Sequence, residues 1–502
     1  MPIIEVQSAC LAGVDGFVVG VETDVLSLLP VFQVVGLPAS SVREARERVR
    51  SAIQAVDLPF PRRRITVNLA PADRPKHGTA LDLPIALGVI GAAWAQERKR
   101  SPWERAPAAI GELGLDGTVR PVRGVLPRVE ALRRGGATRV IVPLGNAGEA
   151  ALVPGVDVVG VGELRAAWTA ARGGGAVFEP PEIVEAPEVG PDLADVRGLG
   201  HARRLLEIAA AGGHDVLLEG PPGAGKSMLA KRLASLLPPL PDEQAVEVTR
   251  IRSAAGLLGE VRGLVRRPPL RAPHHTASSA AVIGGGNPLT PGEVTLAHRG
   301  VLLLDEVPEF PRGVLETLRQ PLSDGEVCVS RVRNTARFPA RFQLVATRNP
   351  CPCGHWPGGA CLCTDDARRR YRARVSGPLM DRIHLVGWVD PTDVKTLLTP
   401  GDGECSAAVR ERVSRARQRQ QDRWTEMNPT RLNAHAPVQL LLPFFDAESV
   451  AEVEDALTNS RSTVRSAQQL LAVSLTVADL AAEAVSPDHV MEAHTVCARS
   501  AE

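Results

Sequence analysis

One stretch of the 502-residue chain leaves little choice of fold. Asp215-Val216-Leu217-Leu218-Glu219 is a short apolar strand, and Gly220-Pro221-Pro222-Gly223-Ala224-Gly225-Lys226-Ser227 follows it directly, satisfying G-x-x-x-x-G-K-[ST]. Residues 228–237 then read as a helix. Small residues let successive backbone N–H groups curl around an anion, and the helix N-terminus adds its dipole. Lys226 is placed to reach the β- and γ-phosphates of ATP, and Ser227 to offer an oxygen to Mg²⁺. A strand, an anion loop and a helix in this order predict an α/β domain with a parallel sheet.

Hydrolysis needs a carboxylate at the end of a neighbouring strand, and Val301-Leu302-Leu303-Leu304-Asp305-Glu306 supplies two. Four apolar residues predict a strand buried on both faces, with Asp305 emerging to hold hydrated Mg²⁺ and Glu306 set to polarise the attacking water. A third apolar run, 342–347, ends near Asn349, whose amide can bond the water or the γ-phosphate. Ser376-Gly377-Pro378-Leu379-Met380-Asp381-Arg382-Ile383 sets Arg382 just before another strand. From its residues alone, Arg382 is either an arginine finger for an adjacent subunit's nucleotide or a salt-bridged surface arginine.

Spacing divides the rest of the chain. Residues 1–172 alternate Val/Ile-rich runs with Arg/Ala/Leu-rich segments and predict a mixed α/β domain; 173–191 is a Gly/Pro/Glu-rich linker; 192–389 holds the phosphate loop; 390–502 is mostly helical. Composition excludes several classes. Formal charge of +1 forbids a basic coat over the whole chain, so an anionic partner must meet local patches. Aromatic residues at 3% are too few for a base-stacking platform. The opening MPIIEVQSACLAGVDG lacks the basic start of a signal peptide, and the longest apolar run, 83–95, is shorter than the roughly 20 residues of a spanning helix. A cytoplasmic protein without membrane association is expected.

GPPGAGKS, VLLLDEVPEF, VLETLRQPLSDGEVCVSR, RNPCPCG and SGPLMDRI together resemble the magnesium-chelatase-like AAA+ ATPases, and more closely the YifB/ComM family of competence-associated proteins. RAPHHTASSAAVIGGGNP, over 271–288, is similar to that family's signature, and the likeness extends to VVGLPASSVREARERVRSAI near the start. The resemblance implies an AAA+ core with a C-terminal helical lid, assembled as a homo-oligomeric ring, a hexamer, with Arg382 acting across subunits. It also implies a lid sensor arginine, assigned to Arg465 in STVRSAQQLL. The lid departs from the family in reading VSLTVADL, without the further Arg usual before TIADL, and His384 stands where an acidic residue is common.

The first domain resembles the proteolytic domain of Lon through GELGLDGTVRPVRGVLPRVEALRRGGATRVIVP. Lon-type cleavage requires a Ser nucleophile and a Lys base. Lys76-His77-Gly78-Thr79-Ala80-Leu81-Asp82 occupies the nucleophile loop and Leu126 the base position, so a non-proteolytic domain is expected.

Cys351, Cys353, Cys361 and Cys363 fall close together, either as a structural Zn²⁺ site or as four unligated thiols. A hairpin over 327–342, with Arg331, Arg333 and Asn334 at its tip, resembles the pore hairpin of AAA+ helicases. With 284–288 and Arg262, Arg266, Arg267 and Arg271, it is the candidate contact for branched or single-stranded DNA. The resulting expectation is a Mg²⁺-dependent ATPase ring that remodels DNA, through branch migration in recombination during natural transformation. Two alternatives stay open, a chelatase motor for metal insertion into a porphyrin and a protein-remodelling ATPase.

Overall fold

The computed structural model describes residues 3–179, 190–259, 263–286, 289–331, 334–358, 360–393, 396, 403–427, 431–458 and 463–497, with residues 331 and 334 described by backbone only. Most of the 173–191 segment therefore lies outside the described residues, as do Arg262, Asn287, Pro288 and Arg333.

The phosphate loop belongs to a five-stranded parallel sheet in the order Leu270–Arg271, Val301–Leu304, Gln343–Arg348, Val216–Glu219, Leu385–Trp388. Alternation along these strands divides their side chains between two cores, as the two-residue period demands. Val216, Leu218, Val301, Leu303, Val345 and Leu385 face one apolar cluster, whereas Leu217, Leu302, Leu304, Leu344 and Ala346 face the other. The first cluster takes in helices Gly200–Gly212 and Lys226–Leu236 and continues without a break into the lid through Val409, Val413, Trp424, Leu471 and Val490. Core and lid are thus welded by shared burial rather than joined by a hinge.

The C-terminal helical segment, in which the lid is expected, comprises Ser406–Trp424, Val438–Leu441, Ala447–Thr458, Val464–Ala481 and Pro487–Cys497. The second cluster packs helix Arg312–Thr317 and the hairpin of strands Glu326–Arg331 and Asn334–Pro339 against the other side of the sheet. The segment 311–322 reads as one helix in the sequence but forms two, Arg312–Thr317 and Arg319–Asp324. Pro321 contributes no amide hydrogen to an α-helical ladder, which is consistent with the break.

The N-terminal sheet has seven strands, ordered Phe32–Val35, Arg64–Ala70, Asp15–Leu26, Ile4–Ala12, Ala108–Ala109, Arg139–Pro143, Asp157–Val161. Helices Ser40–Ala55 and Asp82–Arg98 cover one face, and Val125–Arg134 covers the other. This unit docks on the ATPase-type core at two places. The turn at Gly13–Val14 sits on Phe338 at the base of the hairpin, and Val14 belongs to the same apolar cluster. Beside it, Arg250 of helix Asp242–Ala255 reaches Glu130 at 2.8 Å, and the Ser253 hydroxyl donates to buried Glu149.

Candidate active site

The four residues of strand Val216–Glu219 are buried and end at the loop. Gly220 is fixed by space, because a Cβ there would lie 2.3 Å from the Val389 carbonyl oxygen. Gly223 and Gly225 adopt φ of 78° and 91°, conformations that a side chain disfavours. Between them Ala224 is buried at 3% exposure and its N–H bonds Pro221 O, which tightens the loop. Pro221 and Pro222 supply fixed φ without free amides.

Lys226 opens helix Lys226–Leu236, and its ammonium donates to Gly220 O at 2.7 Å, Pro221 O at 2.8 Å and Asn349 Oδ1 at 3.0 Å. Burial pushes its pKa down, opposed by the charges of Asp305, Glu306 and Glu219. Asn349 is therefore brought onto the Lys226 ammonium from the end of a different strand.

The neighbouring strand Val301–Leu304 delivers the acid pair. Asp305 Oδ1 accepts from Ser227 Oγ at 2.8 Å and from Thr347 Oγ1 at 2.6 Å, while the Glu306 N–H donates to Thr347 Oγ1 at 2.8 Å. Glu306 has φ of 54°, an uncommon left-handed conformation for a residue with a Cβ, and its side chain is exposed at the mouth of the site. Thr347 had no assigned role in the sequence reading, yet it sets the Asp-Glu turn. A lone hydroxyl in a run of six buried residues, Gln343–Arg348, was the available signal.

These groups enclose a cleft of about 330 Å³ lined by Pro222, Gly223, Gly225, Lys226, Ser227, Met228, Asp305, Glu306, Thr347 and Asn349. Its floor is braced from below. Glu219 is 3% exposed and pairs with Arg348 at 2.8 Å, with Arg372 at 3.9 Å from its other oxygen. Hard oxygen donors, Ser227 and Asp305, stand side by side where the phosphates would end, which suits Mg²⁺.

Arg382 and Arg465 are not among the lining residues. Arg382 donates to Ser323 Oγ at 3.0 Å and 2.6 Å and to Pro378 O at 2.7 Å. Its pKa is pushed down by burial first and then by the charge of Arg465, which places the two guanidiniums near one another. Arg465 also acts on Asp215 and His384, which precede strands Val216–Glu219 and Leu385–Trp388. The arginine pair is therefore at the end of the sheet opposite the phosphate loop.

Directly after Asn349 the chain forms a knuckle in which the sulfurs of Cys351, Cys353, Cys361 and Cys363 lie within 4.8 Å of one another. The Cys351–Cys353 separation is 3.3 Å, and Cys361 stands 3.7 Å from each. A tetrahedron of sulfurs about 2.3 Å from zinc has edges of about 3.8 Å, so the four thiols fit that ion. The knuckle rests on the phosphate loop, since a Cβ on Gly354 would meet Pro222 Cδ at 2.4 Å. Arg368 and Arg372 stack over its Trp356 at 5.7 Å and 5.2 Å.

At the hairpin, Arg331 and Asn334 are opposite each other as the last backbone pair. Arg266 is tied to Asp242 at 2.6 Å and Arg271 to Glu293 at 2.6 Å, so both are partly neutralised. No helix among the described residues is long and apolar enough to cross a membrane.

Three family models cover most of the chain. "Magnesium chelatase, subunit ChlI" matches 192–397, "Subunit ChlI of Mg-chelatase" 21–146 and "Magnesium chelatase, subunit ChlI C-terminal" 403–496. An uncharacterised Mycobacterium tuberculosis protein is 43% identical over 480 residues, 94% of each chain. YifB of Escherichia coli is 39% identical over 495 residues, 97% of this chain and 96% of its own. Competence protein ComM of Haemophilus influenzae is 39% identical over 501 residues, 98% of this chain and 97% of its own. With a parallel sheet, a phosphate loop and an Asp-Glu pair held by one hydroxyl, the chain belongs to the magnesium-chelatase-like YifB/ComM family and is an AAA+-type ATPase of that family.

Proposed function

We propose that the chain works as a hexameric cytoplasmic ring in which ATP hydrolysis at protomer interfaces drives DNA remodelling, in the form of branch migration during recombination. The observation that carries the ring is a mismatch of charge. Among the described residues the cleft holds one cation, Lys226, while Arg382 and Arg465 stand together at the other end of the sheet. Transition-state charge on a transferred phosphoryl calls for a further cation, and a neighbouring protomer's Arg382 and Arg465 meet that need.

Within one protomer each residue has a part. The N–H groups from Gly220 to Gly225 and the Lys226 ammonium hold the phosphates, Ser227 and Asp305 hold the metal, Glu306 takes the proton of the attacking water, and Asn349 orients that water. Bound there, Mg²⁺ would neutralise charge on the β- and γ-phosphate oxygens. The cysteine knuckle holds structural Zn²⁺ and so keeps the phosphate loop seated.

DNA is assigned to the hairpin tip, Arg331, Arg333 and Asn334, because the two-stranded hairpin that leads to it packs against the sheet carrying the hydrolytic residues. The name of the ComM relative supports a role in competence. The N-terminal domain serves assembly or DNA contact rather than proteolysis. Ala80 and Leu126 share one buried apolar cluster, the Lys76 ammonium bonds the carbonyls of Gly36 and Pro71, and the Thr79 hydroxyl donates to Glu112.

The test is ATP turnover with and without a four-way DNA junction, for wild type, Lys226→Ala, Arg382→Ala and a mixture of the two variants. Junction-stimulated turnover, loss in each variant and partial recovery on mixing are expected. Turnover indifferent to DNA, combined with metallation of a porphyrin by the same preparation, would favour the chelatase motor instead.

A further inference from the structure

Helix Val464–Ala481 opens on Thr463, whose hydroxyl accepts the Ser466 N–H at 3.2 Å, and it carries Arg465 in its first turn. Gln469 is four residues on, so both side chains share one face. Arg465 is exposed, whereas Gln469 is 7% exposed. The buried amide is engaged in one direction. Its Nε2 donates to Asp381 O at 2.9 Å and to Ile383 O at 3.3 Å, the two carbonyls that flank Arg382. The side chain of Arg382 is meanwhile held by Ser323 and Pro378 of its own core. The lid thus grips the backbone of the arginine turn, and the core grips its guanidinium.

We propose that Gln469 is a positioning residue that locks the Arg382 turn to the lid helix bearing Arg465, so that both guanidiniums are presented to the next protomer as one rigid pair. The proposal rests on the reading of Arg382 as acting across a protomer interface. A bond to the carbonyl on either side fixes the rotation of the peptide units around Arg382, which a single bond leaves free. An arginine on so short a turn, displaced by about 1 Å, loses on the order of a hundredfold in rate. Only the donor side of the interface depends on Gln469, since the hydrogen bonds of the phosphate loop, Asp305 and Glu306 involve neither Gln469 nor Arg382.

The experiment uses the full chain carrying Gln469→Ala, with Gln469→Glu as a same-shape variant that lacks the donating amide. In both, kcat is expected to fall about tenfold or more, with the Kd for ATP and the nucleotide-dependent assembly mass unchanged. Mixing separates a positioning role from a folding role. Gln469→Ala protein mixed with Lys226→Ala protein should regain turnover, because the latter donates an intact arginine pair to an intact phosphate site. Mixed with Arg382→Ala protein it should regain none, because every interface then lacks a donor.

Wild-type kcat in both variants overturns the proposal. So does a loss that Lys226→Ala protein cannot rescue while the Lys226→Ala and Arg382→Ala mixture does recover, which would make Gln469 a packing residue. Failure of that control mixture removes the interface reading itself, and the proposal with it.

Discussion

Glu306 combines a left-handed backbone with an exposed carboxylate, and its N–H is spent on Thr347 rather than on helix or sheet. Glu306 thus lines the cleft with an exposed side chain beside Ser227 and Asp305. Glu306→Gln keeps the size and the turn but removes the base. It should leave ATP affinity intact and lower kcat by about 10² to 10⁴, read by nucleotide binding and phosphate release on one preparation. Thr347→Val should act through the same turn, since it deletes the hydroxyl that serves both acids.

At this scale the sequence was most legible where chemistry demands a residue type at a fixed spacing. Pro222, Gly223, Gly225, Lys226, Ser227, Asp305, Glu306 and Asn349 line one cleft. Gln469 was not legible, because its role consists of which backbone groups it touches. No residue type or interval encodes that.

Among the elements, the cysteine knuckle ties three others together. It follows Asn349, presses Gly354 on Pro222, and is stacked by the helix Asp365–Arg372 that also sends Arg372 towards Glu219. A metal that closes this loop would hold the phosphate loop from behind. One zinc per protomer is expected by elemental analysis, falling to substoichiometric in Cys361→Ser, with a lower melting temperature and weaker ATP binding. Full zinc retention in that variant would remove Cys361 from the ligand set.

Strands and helices were legible in kind because their periods differ. Val301–Leu304 reads as a buried strand from four apolar residues, and Val464–Ala481 as a helix from its spacing. The order of strands was not, since it follows from crossovers that bring Val216–Glu219 between Gln343–Arg348 and Leu385–Trp388. The long pair Ile4–Ala12 and Asp15–Leu26 was also missed, although Val19, Val21, Thr23 and Val25 alternate as buried residues along the second strand.

In the molecule as a whole, the seam between core and lid carries titratable groups without full solvation. His214 is buried with its Nε2 2.9 Å from Thr476, and His384 Nδ1 accepts the Asp215 N–H at 3.2 Å, which requires that nitrogen to be unprotonated. Burial drives His384 down to about 3 and His214 well below its usual value, while burial lifts Asp215 to about 7. A depressed histidine contributes stability that is complete above about pH 6.5 and is lost as pH falls towards 3; a raised carboxyl does the reverse, losing stability as pH climbs from about 4 to 7.

Two imidazoles outweigh one carboxyl, so melting temperature should fall on acidification below about pH 6.5. Asp215→Asn should make that fall steeper, because the opposing group is gone. A melting profile flat from pH 4 to 7 in both proteins would show that these histidines are solvated.

The contact of Gly13 and Val14 with Phe338 has a bearing on biogenesis. Val14 is 3% exposed in a cluster it shares with the base of the hairpin, and that hairpin is synthesised long after the N-terminal sheet can close. While the ribosome is still building the middle of the protein, the nascent first domain presents a greasy spot at the tip of its opening turn. Truncated products ending before the hairpin would keep it permanently on show.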